Sequence, residues 1–338
     1  MTGRGIGDTL CQSVLVVVIC GPARIYWQLR RGHAGPAGGF ERLTGSQQAD
    51  RYMKVLVAEK CGFCHGVRSA ISIAEKTLEQ EKGRAEVYSL GPIIHNQDEV
   101  DRLARAGLRT VDSIDQIDSG TVIIRSHGAA PAQIAKLKEK GLKIVDATCV
   151  LVKRVQHIAE RLDKEGYKVV IIGEENHPEV QAVMGCAADV VVITNESDLP
   201  RLPARGRLGI VGQTTQGRAH FGNMLGAIGQ LNFSELRVVN TLCQEAMKRQ
   251  DSAVRLCKQV EIMFVLGGLH SANTRRLAEL CKKFNPETFY LQNWKELDKR
   301  MLLGKSTAGV TAGASTPDWV IGEFVKKLED FNAQTHQG

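Results

Sequence analysis

From Met53 onward, short continuous apolar runs alternate with longer stretches whose apolar residues recur at helical spacing. The runs fall at 55–58, 87–90, 121–124, 143–145, 168–172, 190–193, 208–211, 237–239, 262–266, 288–291 and 308–311. Between them, Val67, Ile71, Ala74 and Leu78 share one helical face, as do Val152, Val155, Ala159 and Leu162. Fully apolar strands alternating with amphipathic helices predict parallel sheets covered on both faces, an α/β architecture. A chain of 338 residues exceeds one small core. Its length divides into three similar α/β lobes: 65–148, 149–242, and 243–331 joined by 53–64. Pairing the first strand with the last unit would close a three-lobed ring around a central site. Functional side chains are then expected where strand ends meet helix starts.

Three cysteines occupy such places. Cys64, Cys149 and Cys243 each follow an apolar run and open an amphipathic stretch, at intervals of 85 and 94 residues. Basic residues follow each: Arg68, then Lys153 and Arg154, then Lys248 and Arg249. A helix N-terminus lowers a thiol's pKa, so three convergent thiolates could bind zinc or an iron–sulfur cluster. A closed zinc site wants four ligands, usually in close pairs, and only Cys61 and Cys64 make such a pair. Three evenly separated ligands fit a cubane cluster with one open iron better. The bland alternative is three unrelated buried cysteines. The nine cysteines are odd in number and irregularly spaced, which argues against a disulfide framework and for a reducing, cytoplasmic setting. Cys186, Cys257 and Cys281 read as small buried hydrophobes.

Charge adds little to this picture. The net charge is +7, of which residues 1–52 carry +3 through six Arg against three acidic residues. The remainder carries only +4, which suits a small anionic substrate better than nucleic acid. The apolar run at 12–20 is too short to span a bilayer. Residues 1–52, with Cys11 and Cys20, read as a disordered or non-native extension with no membrane role.

No Gly-x-Gly-x-x-Gly fingerprint or Walker A loop appears. Polar sets do follow the other strands: His95-Asn96, Ser126-His127-Gly128, Glu174 to Glu179 with His177, Gln213-Thr214-Thr215, Ser271-Ala272-Asn273 and Ser315-Thr316. Hydroxyl, amide and imidazole groups at helix starts hold phosphates without a P-loop. Any single Ser or Thr there is otherwise a plain N-cap. Glu179, two residues after His177, is a candidate proton carrier. Its bland reading is a first-turn Glu favoured by the helix dipole.

These residues together resemble the LytB, or IspH, family, the 4-hydroxy-3-methylbut-2-enyl diphosphate reductases. The likeness runs from Met53 to about Phe331. It is carried by Gly62-Phe-Cys64-His-Gly-Val, Leu90-Gly-Pro-Ile-Ile-His95-Asn96, Arg125-Ser-His127-Gly128 and Asp146-Ala-Thr-Cys149. It continues through His177-Pro-Glu179-Val, Gln213-Thr214-Thr215, Asn240-Thr-Leu-Cys243 with Arg249-Gln250, Ser271-Ala-Asn273-Thr, and Thr311-Ala-Gly-Ala-Ser315-Thr-Pro-Asp318. The resemblance implies a trefoil of three α/β lobes around a [4Fe-4S] cluster held by Cys64, Cys149 and Cys243, with the fourth iron open to the substrate hydroxyl. It implies a diphosphate held by His95, His127, His177, Ser271, Asn273 and Ser315, whose imidazoles suit an anion because they can be cationic near neutral pH. Glu179 with Thr214 would relay a proton. Two electrons from reduced ferredoxin or flavodoxin would remove the hydroxyl as water, giving isopentenyl and dimethylallyl diphosphate. The chain departs from the family pattern at Val150, where Pro is usual, at Ala246, where Thr is common, and at Ala272, where some members have Ser. His65 and Cys61 fall at variable positions.

Overall fold

The computed structural model of the protein describes residues 53–269 and 271–335. The readings made on residues 1–52 lie outside the described residues. Among the described residues, the first strand, β1 (Lys54–Val57), pairs with the last. The next four, β2 (Val87–Leu90), β3 (Leu108–Val111), β4 (Thr121–Ile124) and β5 (Lys143–Asp146), form a sheet in the order β3-β2-β4-β5. A second sheet of β6 (Lys168–Ile172), β7 (Val190–Ile193), β8 (Arg207–Gly212) and β9 (Glu235–Val238) runs β7-β6-β8-β9. The third joins β10 (Ile262–Leu266), β11 (Thr288–Leu291) and β12 (Thr307–Ala312) to β1, in the order β1-β12-β10-β11. Every strand pair in the three sheets is parallel. The sheets share one topology, with β1 taking the place of a fourth strand in the third. That exchange closes the ring, and the α/β trefoil expectation holds.

The continuous apolar runs have a direct cause. Successive side chains point to opposite faces, and both faces are covered. In β6, Val169 and Ile171 enter one core cluster while Val170 and Ile172 enter another. In β4, Ile123 goes one way and Val122 and Ile124 the other. In β10, Met263 and Val265 oppose Ile262, Phe264 and Leu266.

Two strands differ from the expectation. β3 was not among the predicted runs, because it is an edge strand whose Arg109 and Thr110 are exposed, leaving too few apolar residues to register. β9, also an edge, begins two residues earlier than its apolar run, at Glu235.

The helices explain how the cysteines meet. α1 (His65–Glu81) follows β1 of the third sheet but packs Ala70, Ile71 and Ala74 onto the first. The next two, α2 (Gln97–Arg105) and α3 (Pro131–Glu139), serve the first sheet. α4 (Val150–Lys164) leaves β5 and packs Val155, Ala159 and Leu162 onto the second. After α5 (Pro178–Met184) and α6 (Arg218–Ile228), α7 (Gln244–Cys257) leaves β9 and packs Ala253 and Leu256 onto the third. The last are α8 (Ala272–Phe284) and α9 (Asp318–Thr335). Cys64, Cys149 and Cys243 are the N-caps of α1, α4 and α7. Each therefore sits where the chain crosses from one lobe to the next. Among the described residues no helix is long and apolar enough to cross a membrane.

Candidate active site

Strand ends and helix starts from all three lobes face one central cavity. Cys64, Cys149 and Cys243 line one part of it. His95, His127, His177, Glu179, Thr214, Ser271, Asn273 and Ser315 line the rest. The three cysteines, the three histidines, Glu179, Thr214, Ser271, Asn273 and Ser315 are therefore brought into one space, while Asn96, Glu174, Gln213 and Thr316 of the same polar sets do not line it.

At the cysteine end the three thiols are free. Cys64 Sγ accepts a hydrogen bond from Val67 N–H at 3.4 Å, so the sulfur itself caps α1. A β-carbon added at Gly66 would lie 2.6 Å from Cys149 Sγ and 4.0 Å from Cys64 Sγ. Both sulfurs thus face one point, and only a residue without a side chain leaves that space open. Cys61 does not join them: it packs against the third core, and burial pushes its thiol up to about 11. Three sulfurs without a fourth among the described residues fit an iron–sulfur cluster better than a closed zinc site. At Cys149 and Cys243 the helix starts do not lower the thiols as the sequence suggested. Burial raises Cys149 and Cys243, and this outweighs their backbone hydrogen bonds.

Elsewhere in the same cavity stand three imidazoles. Ring centroids are 4.8 Å apart for His95 and His127, 5.4 Å for His127 and His177, and 6.1 Å for His95 and His177. His177 caps α5, its Nδ1 accepting from Glu179 N–H at 3.1 Å, with Pro178 at the first helical position. Burial, then the neighbouring histidines and Arg125, hold His127 well below the usual imidazole range. Burial, then His95, Arg276, Arg125 and Arg275, bring His177 down to about 3. Both are therefore neutral near pH 7 in the ligand-free protein, and a cationic form would have to come with a bound anion. Three imidazoles with ligand atoms within 4.8 Å could also hold a metal ion. The guanidinium groups of Arg125, Arg275 and Arg276 oppose a cation there and favour an anion. Two further groups point the same way. His127 Nδ1 and Asn273 Nδ2 are buried without a hydrogen-bond partner. Ser271 caps α8 and Ser315 Oγ donates to His95 O at 3.3 Å, so both hydroxyls line the cavity while serving the backbone.

The same cavity is lined by Glu179, 2% exposed in the first turn of α5. Its Oε1 accepts from Thr214 N–H at 2.6 Å and its Oε2 from Thr214 Oγ1 at 2.8 Å. Burial raises its pKa, and the two Thr214 bonds oppose that only in part. A carboxyl tuned upward in a dry cavity is suited to carry a proton. It does stand in the first turn of α5, as the bland reading had it, and its buried pairing with Thr214 is what that reading does not account for.

Sequence reasoning placed Arg249, Gly66 and Arg125 inside motifs but gave them no role at the site, and it missed Arg275 and Arg276. Arg249 and Gly66 sit inside the cysteine motifs, but nothing in their spacing shows which way they face. Cys257 and Cys281 are buried as expected, while Cys186 is only half-buried, its Sγ donating to Ala182 O at 3.3 Å.

The chain's likeness to known proteins agrees with this geometry. The model of the family described as LytB protein matches residues 55–329. A relative from Pelobacter propionicus, named 4-hydroxy-3-methylbut-2-enyl diphosphate reductase, is 41% identical over 281 residues, covering 83% of this chain and 99% of that one. A solved structure of (E)-4-hydroxy-3-methyl-but-2-enyl diphosphate reductase, titled the terminal enzyme of the non-mevalonate pathway, is 38% identical, with a TM-score of 0.62 over 82% of this chain and 99% of that one. The Plasmodium falciparum reductase, 24% identical, shares the fold with a TM-score of 0.75 over 82% of this chain and 88% of that one. On that family match, and on a relative this similar over nearly its whole length, the chain belongs to the LytB family of 4-hydroxy-3-methylbut-2-enyl diphosphate reductases and is an oxidoreductase.

Proposed function

We propose that this chain reduces 4-hydroxy-3-methylbut-2-enyl diphosphate to isopentenyl and dimethylallyl diphosphate, with Cys64, Cys149 and Cys243 holding a [4Fe-4S] cluster whose fourth iron lacks a protein ligand. The observation that carries this reading is the convergence of three free cysteines, three histidines and a buried Glu179–Thr214 pair in one cavity. When bound, the cluster supplies electrons and a Lewis-acidic iron. The diphosphate lies at the histidine end, on His95, His127, His177, Ser271, Asn273 and Ser315. The unpartnered Nδ1 of His127 and Nδ2 of Asn273 donate hydrogen bonds to its oxygens. Anchored there, the substrate's hydroxyl end reaches toward Glu179 and the cysteines.

The reaction takes two electrons and two protons, breaks one C–O bond and releases one water. Hydroxide is a poor leaving group, so the proton that makes it water must arrive as the bond breaks. Glu179 supplies that proton from its carboxyl, and Thr214 holds both carboxyl oxygens in place and returns a proton through its hydroxyl. The second proton ends on carbon, and its position decides between the two products. Small reduced electron carriers, ferredoxin or flavodoxin, supply the electrons in the reducing cytoplasm, where free thiols persist. Glu179→Gln tests the assignment. Its cluster content stays at the wild-type level, while turnover falls by about 10²–10⁴. Normal turnover in that variant would remove Glu179 from the chemistry.

A further inference from the structure

Arg249 is a buried cation at the cysteine end that the reaction scheme does not use. It lies on α7, six residues after Cys243, and lines the cavity with all three cluster cysteines. The residue is 4% exposed. A guanidinium removed from water demands compensation. Its Nη1 donates to Ala312 O at 3.2 Å, but its Nε has no hydrogen-bond partner. The groups whose anionic forms would bear on it are Cys64 and Cys61, then Glu245 and Cys243. Glu245 is itself shared with Lys248 Nζ at 3.4 Å. The cation is therefore compensated fully only when the neighbouring sulfurs are anionic, as they are when they ligate metal.

We propose that Arg249 is a positioning residue that raises the reduction potential of the cluster bound at Cys64, Cys149 and Cys243. Three thiolates around a cluster make an anionic centre, and each added electron deepens the charge. A fixed cation in a dry site stabilises the more negative, reduced state more than the oxidised one. The unused Nε–H is also a donor available to a sulfur, and hydrogen bonds to sulfur act in the same direction. A purely structural arginine would do no more than hold the Ala312 carbonyl.

This inference rests on the cysteine assignment above, and the test separates the two. Full-length wild type, Arg249→Gln and Arg249→Lys are reconstituted anaerobically. Iron per chain is assayed, and the cluster is titrated against a series of redox buffers by electron paramagnetic resonance. With full iron content, Arg249→Gln lowers the ratio of reduced to oxidised cluster at fixed poise at least tenfold, about 59 mV for a one-electron couple. Arg249→Lys keeps the charge and shifts the ratio less than the glutamine variant does. An unshifted potential in a fully loaded Arg249→Gln protein overturns the proposal. So does an unshifted potential accompanied by a raised KM, which would assign Arg249 to the substrate's anion. Should Arg249→Gln fail to load, Arg249→Lys decides, and a tenfold fall with the charge kept overturns the proposal. A wild type that binds no cluster refutes the cysteine assignment itself.

Discussion

The two ends of the cavity carry opposite chemistry, yet burial treats them alike. At one end Cys149 and Cys243 are pushed up, so their thiols keep their protons. At the other, His127 and His177 are pushed down, so their imidazoles go without. Desolvation disfavours the charged form in each case, which raises an acid and lowers a base. The protein thus builds an anion-making end and a cation-making end and leaves these groups neutral until ligands arrive. Metal displaces protons from sulfur, while a diphosphate brings protons to imidazole. Glu179 lines the same cavity, its proton also favoured by burial.

The comparison breaks most severely at the cysteine end. Cys149→Ser removes one of three sulfurs that no fourth replaces. We expect turnover to fall by roughly a thousandfold or more, the scale of several kcal/mol of lost metal assistance. Iron per chain should fall with it, while affinity for inorganic pyrophosphate at the histidine end should change little. Equal loss at both ends would mean that the cavity behaves as one unit.

Gly66→Ala sharpens the same point without touching a ligand. The new methyl would sit 2.6 Å from Cys149 Sγ, closer than carbon and sulfur can approach. The sulfur must move, and we expect metal affinity to drop about 10–100-fold, as when a ligand loses its support. Iron retention under chelator challenge measures this, and unchanged retention would show that the sulfurs do not face that space.

The histidine end predicts a smaller effect with a defined sign. In the empty protein His177 sits at about 3. A bound diphosphate raises the imidazole values, so the bound state holds more protons between about 3 and the raised value. Affinity therefore weakens as pH rises through that window, by at most about tenfold per unit for each proton taken up. Calorimetry of pyrophosphate binding at pH 7 in two buffers of different ionisation enthalpy should show proton uptake. No uptake would mean that the imidazoles stay neutral and act only as hydrogen-bond partners.

Much of this layout is legible in the chain, because a parallel sheet converts position along the sequence into place in the fold. A residue just past an apolar run falls at a strand end, which is how Cys64, Cys149, Cys243, His95 and Glu179 could be picked out. That the cysteines converge follows from helices α1, α4 and α7 crossing between lobes, and near-equal spacing was its only trace. Three things were not legible. β3 is an edge whose polar residues hide its strand character. Arg249 shares its helix with Cys243, but its burial depends on Ala312 and Cys61, from distant parts of the chain. The lowered values of His127 and His177 come first from burial, then from neighbouring histidines and Arg125, with Arg275 and Arg276 adding at His177, groups that only the assembled lobes bring together. Residue type alone shows that imidazoles can be cationic, not that burial holds these two neutral in the free protein.

The most direct test of the central claim is a single experiment on the full chain. Protein is reconstituted anaerobically, its iron and sulfide are counted, and it is mixed with 4-hydroxy-3-methylbut-2-enyl diphosphate and a chemical one-electron reductant. About four irons per chain, with conversion to isopentenyl and dimethylallyl diphosphate that Cys149→Ser abolishes, is the predicted result. A fully loaded cluster that binds the substrate and leaves its hydroxyl in place would contradict the account.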